Sequence, residues 1–384
     1  MKVFLISSEP YGFPEAPLLG IFQKDLKDAL ASAGHEIIVL SPSGRSLKRI
    51  GAIRRVGRPP AVDGVIRNRA INAFPRVRFM EQRRFVSVGL RQFDEAVRKY
   101  GRPDLVHAHN AVYAGFLAQA IASKHGLPFV LTEHSSWILK RVYRSSFKRL
   151  IDQCYKAADA VVAVSKHLKD ALCDGYGVKD CTVIPNILPT EFSSAAPRDS
   201  GNHTTFINVG SLDENKNQSA LIKAFARLLP AYPEARLVLI GDGPARKALG
   251  DLTRALGVEA EVIFRGQLTR DQVLRDLETS SVFVLSSLVE TFGVVVIEAL
   301  ATGLPVIATP CGGPEGVIDP GINGLYARGT GSADIYQAML CFMQTRSTFD
   351  PEAIANAAKR RYSPDVVASS TVALYKSVLA NQGA

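Results

Sequence analysis

The sequence predicts an α/β protein built from two similar doubly wound units. Three observations lead there. Short β-branched runs alternate with helix-period stretches almost from end to end; these runs are continuously apolar; and the alternation stops near residue 190 and then restarts. Continuous apolar strands separated by helices imply a parallel sheet covered on both faces.

In chain order, KVFLI at 2–6 opens the first series, and a helix-period stretch runs from Gly20 to Ala33. EIIVL at 36–40, DLVHA at 104–108, FVLT at 129–132 and AVVAV at 160–164 follow, with a helical stretch from Tyr113 to Lys124. After VIPN at 183–186 comes ILPTEFSSAAPRDSGNHT, rich in Pro, Ser, Asn and Gly and without periodicity, which reads as a linker. TFINV at 205–209, RLVLI at 236–240, EVIF at 261–264, SVFVLS at 281–286 and LPVIA at 304–308 form the second series. Asp365–Leu379 carries Val366, Val367, Val372, Leu374, Tyr375 and Val378 at helical spacing. The expected domains are therefore 1–190, a linker over 191–204, a second unit over 205–364, and a helix over 365–384 able to pack back on the first unit. Open sheets of this kind bind ligands outside the carboxyl ends of their strands, so the chemistry belongs to loops that follow strands.

With 47% hydrophobic and 21% charged residues, the 384-residue chain is not a disordered or collagen-like protein. Its five cysteines are scattered and lack a CxxC pair, which suggests neither a disulfide framework nor a zinc site and favours a reducing, cytoplasmic location. The longest apolar stretch, Gly293 to Pro314, is broken by Glu298, Gly303, Pro305 and Pro310, short of the roughly 20 apolar residues a spanning helix needs. MKVFLISSEP has too short an apolar run for a signal-peptide core, so export by that route is not expected.

Charge is uneven. Thirteen of the Lys and Arg residues fall between Ser41 and Arg91 against only Asp63 and Glu81, while the whole chain carries +10. Such a block suits an anionic partner: nucleic acid, an acidic membrane or a phosphorylated substrate. A second run, WILKRVYRSSFKRL from Trp137 to Leu150, interleaves basic with apolar residues and can lie on a membrane interface. No basic recognition helix or aromatic RNA-reading motif accompanies either, so nucleic acid is not the expected partner.

The segment SSLVETFGVVVIEALATGLPVIATPCGGPEG, Ser286 to Gly316, carries the chemistry. Glu290 lies in the loop after a strand, Phe292, Gly293 and Val294 open a helix, and Glu298 sits within it. If helical geometry reached back to Glu290, eight steps of about 100° would bring both carboxylates to within about 80° of each other. Helix-start amides suit phosphate, and a carboxylate suits a ribose diol or sugar hydroxyls.

At these residues the chain resembles the retaining nucleotide-sugar glycosyltransferases of family 4, which have the GT-B fold of two Rossmann-like domains facing a central cleft. The E-x-F-G-x-x-x-x-E-A pattern is present as ETFGVVVIEA, and GIFQKDLKDALASAGHEIIVL, DLVHAH, VLTEH, AADAVVAVSK, VIPN, VGSLDENKN, IGDGP, GGPEGV and NGL appear in the family's order over about residues 2–330. The resemblance implies that Glu298 holds the nucleotide ribose and Glu290 the donor sugar, with the amides of Phe292, Gly293 and Val294 facing sugar and phosphate. It implies that Lys216 neutralises the departing diphosphate, with Ser211 standing where many members have an arginine. It further implies that Gly20 lets backbone approach the donor phosphate and that His134 faces the reacting sugar. His109, ending VHAH, is a second candidate on the acceptor side.

No DxD motif occurs, so a metal-independent enzyme without cofactor is expected, using a UDP-sugar or GDP-sugar. The expected acceptor is anionic or lipid-linked, the location cytoplasmic at the inner membrane face with peripheral contact to anionic lipid, and the product a cell-surface polysaccharide or glycolipid. A non-hydrolysing nucleotide-sugar epimerase of the same fold is the alternative; a phosphorylase or a nucleic-acid binder would be further rivals.

Overall fold

A computed structural model describes residues 1–9, 11, 20–46, 64–72, 78–140, 145–195 and 203–382. Residues 47–63 and 73–77 of the basic block and residues 141–144 of the second run lie outside them.

The chain divides into two compact units. The first comprises Met1–Val164, Leu168–Pro185 and Pro364–Ala384; the second comprises Ser165–His167 and Asn186–Ser363. Both contain a parallel sheet with helices, a Rossmann-like arrangement.

In the first unit β1 (Lys2–Ile6), β2 (Glu36–Ser46), β3 (Val65–Asn72), β4 (Leu105–His109), β5 (Phe129–Glu133), β6 (Ala160–Ala163) and β7 (Cys181–Val183) lie in the order 3-2-1-4-5-6-7. The order reverses between β1 and β4, which pair Val3 with Leu105 and Ile6 with Ala108. Strands β4 and β5 are buried along their whole length, as a sheet covered on both faces requires. The helix Pro364–Asn381 belongs to this unit: Tyr375 is fully buried, and its hydroxyl meets His107 Nδ1 at 2.6 Å.

The second unit holds β8 (Thr205–Val209), β9 (Arg236–Ile240), β10 (Val262–Gly266), β11 (Val282–Leu285), β12 (Val306–Ala308) and β13 (Gly324–Tyr326) in the order 10-9-8-11-12-13. Its reversal falls between β8 and β11. Residues Thr190–Ser193, within the linker reading, form a short helix that seats Phe192 with no exposure.

β3, β7 and β13 escape the hydrophobic-run criterion. β3, VIRNRAIN, is an edge strand broken by polar residues; β13 is three residues long and starts at Gly324. A Cβ at Gly324 would come within 2.2 Å of the Val306 carbonyl oxygen, so close strand approach explains that glycine.

No helix of the described residues is long and apolar enough to cross a membrane. In the Trp137–Leu150 run, Ile138 is 1% exposed and Trp137 49%. Ile138 is thus a core residue rather than part of an insertable face, because the turn Ser136–Leu139 points it inward.

Candidate active site

A doubly wound sheet leaves a crevice where its strand order reverses, because the connections on either side leave in opposite directions. In the second unit that point is flanked by the loops after β8 and β11, and these hold Lys216 and Glu290. Lys216 Nζ lies 2.6 Å from Glu290 Oε1, and the Ser287 hydroxyl donates to the same oxygen at 2.7 Å. The loops are tied together by backbone: Leu288 N donates to Asn215 O, Asn215 Nδ2 to Val289 O, and the Ser286 hydroxyl to Lys216 O. Glu290 N is held by Cys311 O at 2.8 Å. Burial, then the Glu290 charge, pushes the Cys311 thiol up to about 12, so it stays protonated and is no nucleophile near pH 7.

Lys216 is presented by a strained turn. Asn217 has φ 53°, and Asp213 Oδ1 accepts from Lys216 N. Ser211 bonds through its hydroxyl to Asp213, and its carbonyl accepts from Gln218 Nε2. Behind this turn sits Gly241 of IGDGP, with φ 132°: a Cβ there would come within 1.9 Å of Gly210 O, so no other residue fits without displacing the loop.

Phe292 is buried, Gly293 takes φ 81°, and helix Val294–Ala301 starts without any side-chain cap. Glu298 is 7% exposed in its second turn. Glu290 is not helical: it forms a bridge to Gly312, and the left-handed Gly293 separates it from the helix. The angular reckoning that put Glu290 and Glu298 on one face therefore does not apply. What places Glu290 is its contact with Lys216.

In the first unit the order reverses between β1 and β4. Gly20, with φ 72°, precedes helix Ile21–Ser32, and its N–H reaches Glu9 Oε2 at 3.4 Å. At the strand ends three imidazoles form a row: ring centroids of His107 and His109 are 4.5 Å apart, and those of His109 and His134 5.2 Å. His134 also stacks on Phe22. His109 is 1% exposed, so it lies behind His134 instead of meeting an acceptor directly. Burial holds His107 down to about 3 and His109 well below the usual histidine range, so both are neutral. His109 Nδ1 lies 2.9 Å from His134 Nε2, while its Nε2 is buried with no partner among the described residues. A neutral ring carries one N–H, so one of these two rings donates to the other across this contact.

Sequence reasoning missed the group that holds this corner. Glu133, fully buried at the end of β5, accepts from His134 N at 3.0 Å and Ser135 N at 2.8 Å through Oε1. Its Oε2 accepts from Ala111 N at 3.0 Å and the Tyr155 hydroxyl at 2.7 Å. Burial raises its pKa and these four bonds oppose the rise; four donors call for the acceptor-only carboxylate. The acidic residue inside VLTEH was the available signal. Asn110 and Tyr113, with φ 71° and 68°, complete the loop, and Asn110 Oδ1 accepts from His134 N. Between the loops after β1, β4 and β5 opens a cavity of about 290 Å³ lined by residues that include Glu9, Asn110, Tyr113, Ser135, Trp137 and Phe147.

Known proteins resemble the chain over nearly its whole length. It is 27% identical over 401 residues to a glycogen synthase of Mycobacterium tuberculosis, covering 98% of this chain and 94% of that one. Its fold is shared with sucrose-phosphate synthase of Thermosynechococcus elongatus at a TM-score of 0.80 and 19% identity, covering 99% and 100% of the two chains. It is shared too with Anabaena HepE, solved in complex with UDP, at 0.75 and 18%, covering 98% and 99%. The two parallel-sheet units and these relatives define a GT-B glycosyltransferase. Residues 20–192 match the family described as Glycosyltransferase Family 4, and residues 190–361 match Glycosyl transferases group 1. The chain belongs to the family 4 glycosyltransferases.

Proposed function

We propose that the protein is a retaining, metal-independent hexosyltransferase that moves a sugar from a nucleoside diphosphate, UDP first among candidates, to an acceptor hydroxyl in polysaccharide or glycolipid synthesis. The observation that carries this reading is the Lys216–Glu290 contact at the second unit's crevice. One cation and one carboxylate stand together on loops whose backbone is fixed by hydrogen bonds. A diphosphate approaching there meets Lys216, and a sugar hydroxyl meets Glu290. HepE, a fold relative that holds UDP, supports the donor.

In this reading the amides of Phe292, Gly293 and Val294 face sugar and phosphate, Glu298 takes the ribose diol, and Gly20 admits the donor phosphate to the first unit's backbone. Ser211 supplies a hydroxyl where a second cation would otherwise stand. Transfer breaks the bond from the anomeric carbon to the phosphate oxygen and forms one to the acceptor oxygen on the same face. The acceptor's proton goes to the departing phosphate oxygen, whose charge Lys216 stabilises. His134 orients the sugar, and the hydrogen bond between its Nε2 and His109 Nδ1 holds its ring in place.

The test is to incubate the protein with UDP-glucose and a panel of acceptor alcohols, with EDTA or with magnesium, and read the product's anomeric configuration by NMR. An α-linked product formed equally in EDTA is expected. A β-linked product overturns retention, and strict dependence on magnesium overturns the metal-free reading.

A further inference from the structure

We infer that Asn208, Asn217 and Gln218 are positioning residues for Lys216: their side-chain amides clamp the turn that carries it and so set where its ammonium group stands beside Glu290. What Lys216 does there rests on the transferase reading above; the clamp rests on geometry.

Lys216 lies in the sequence Asn215-Lys216-Asn217-Gln218, and each flanking amide donates to a backbone carbonyl of a different segment. Asn215 Nδ2 reaches Val289 O after β11 at 3.0 Å, Asn217 Nδ2 reaches Thr330 O after β13 at 2.9 Å, and Gln218 Nε2 reaches Ser211 O after β8 at 3.0 Å. Gln218 Nε2 also donates to Asn208 Oδ1 at 3.4 Å, and Asn208 Nδ2 donates in turn to Val284 O at 2.8 Å. β8 and β11 pair Phe206 with Val282 and Ile207 with Phe283. The Asn208 bond extends that tie by one residue, toward the loops that carry Lys216 and Glu290. An amide suits each of these places, because a carboxylate cannot donate and a second ammonium would set a like charge beside Lys216.

Two features separate these contacts from ordinary packing. Asn217 holds φ 53° directly before helix Gln218–Leu228, and its side chain does not cap that helix but goes to Thr330 instead. Gln218 is 1% exposed, and its Oε1 has no partner among the described residues. A left-handed non-glycine residue and an orphaned buried acceptor both oppose folding, so what the two residues supply is location. The Lys216 stem lies along Gly210, with its Cε, Cδ and Cγ 3.5, 3.6 and 3.7 Å from where a Cβ would stand there. Gln218 holds the Ser211 carbonyl next to that glycine, and Asn217 holds the backbone on the far side of Lys216. Fixed from both sides, the stem ends with Nζ 2.6 Å from Glu290 Oε1.

Gln218→Met keeps the side chain's length and exchanges one orphaned acceptor, its own, for another, Asn208 Oδ1. Asn217→Gly keeps the left-handed backbone without steric cost. Both variants are therefore expected to fold. In the full-length protein, acetylation of Lys216 by sulfosuccinimidyl acetate would be followed by mass spectrometry, with Lys223, exposed on the helix that follows, as internal standard. Both variants should raise the Lys216 rate at least about threefold, as Glu290→Gln does by removing the ion pair, and leave Lys223 unchanged. UDP affinity would be measured by calorimetry with and without Lys216→Ala. Each variant should weaken UDP at least about fivefold in the parent and less than about twofold in the Lys216→Ala background, where nothing is left to position. Equal losses in the two backgrounds, an unchanged Lys216 rate in both variants, or a rise shared by Lys223 overturns the clamp. If the parent binds no UDP or other nucleoside diphosphate, the donor reading falls and the acetylation rates alone decide the clamp.

Discussion

Replacing Glu133 with Gln keeps the shape of the side chain and removes one acceptor oxygen from a site where four donors converge. An amide oxygen placed at Oε1 still serves His134 N and Ser135 N, but the NH2 then faces Ala111 N and the Tyr155 hydroxyl. The hydroxyl can turn and accept; the Ala111 N–H cannot, and flipping the amide strands Ser135 N instead, while His134 N keeps Asn110 Oδ1. One buried N–H without a partner costs about 1–3 kcal/mol, and the surviving bonds lose their ionic component, so the loss should total about 2–4 kcal/mol. For a unit of about 200 residues that lowers Tm by roughly 5–15 °C. Thermal unfolding followed by Trp137 fluorescence reads it, because the tryptophan belongs to the same unit. Tyr155→Phe should cost less, since three backbone donors still meet the carboxylate, and the double variant should fall short of the sum. A Glu133→Gln protein within about 0.5 kcal/mol of the parent would refute the acceptor-only carboxylate.

Lys216→Ala should lower kcat at least about tenfold, equivalent to about 1.4 kcal/mol of transition-state stabilisation, as read by initial rates under saturating donor. Glu298→Ala should weaken nucleotide binding by about 1.5–3 kcal/mol in calorimetry, and unchanged affinity would remove it from the site. His107, held down to about 3, binds no proton in the folded state while the unfolded chain takes one below about 6.5. Its stabilisation is therefore complete above about pH 6.5 and falls by up to about 1.4 kcal/mol per pH unit between about 6.5 and 3; His107→Gln should flatten that slope in denaturant titrations. If the basic block 41–91 meets anionic lipid, the protein should float with anionic liposomes at low salt and be released at 1 M, where the Debye length is about 3 Å.

How much of this was legible in the sequence depends on how far apart the deciding residues lie. The buried strands announced themselves as apolar runs, and the Rossmann-like plan followed. Edge strand β3 and the three-residue β13 did not, because their pairing is set by neighbours and not by their own hydrophobicity. Lys216 and Glu290 were each identifiable, but helical periodicity does not reach Glu290: a left-handed Gly293 stands before the helix, and the side chain Glu290 contacts is 74 positions away. Trp137 was read with its basic surroundings as an interfacial residue; that it also lines a cavity depends on where β1 and β4 end. The only local mark of Glu133 is an acidic residue at the end of the apolar VLTEH run, which says nothing of its partners. Its partners, Ala111 and Tyr155, become neighbours only when β4, β5 and the helix Ser145–Ala157 have assembled.

The Tyr375 to His107 hydrogen bond makes the first unit discontinuous in the chain, and order of synthesis then matters. A nascent chain through Pro185 possesses all seven strands yet lacks the helix Pro364–Asn381, and His107 lies open where Tyr375 would fill the core. The second unit, almost wholly contiguous from Asn186 to Ser363, is complete before that gap closes. Of the two units, the one that leaves the ribosome earlier is therefore the later to finish folding, and it waits with apolar surface exposed for roughly 180 residues of synthesis, about 10–35 s at ordinary bacterial or eukaryotic elongation rates.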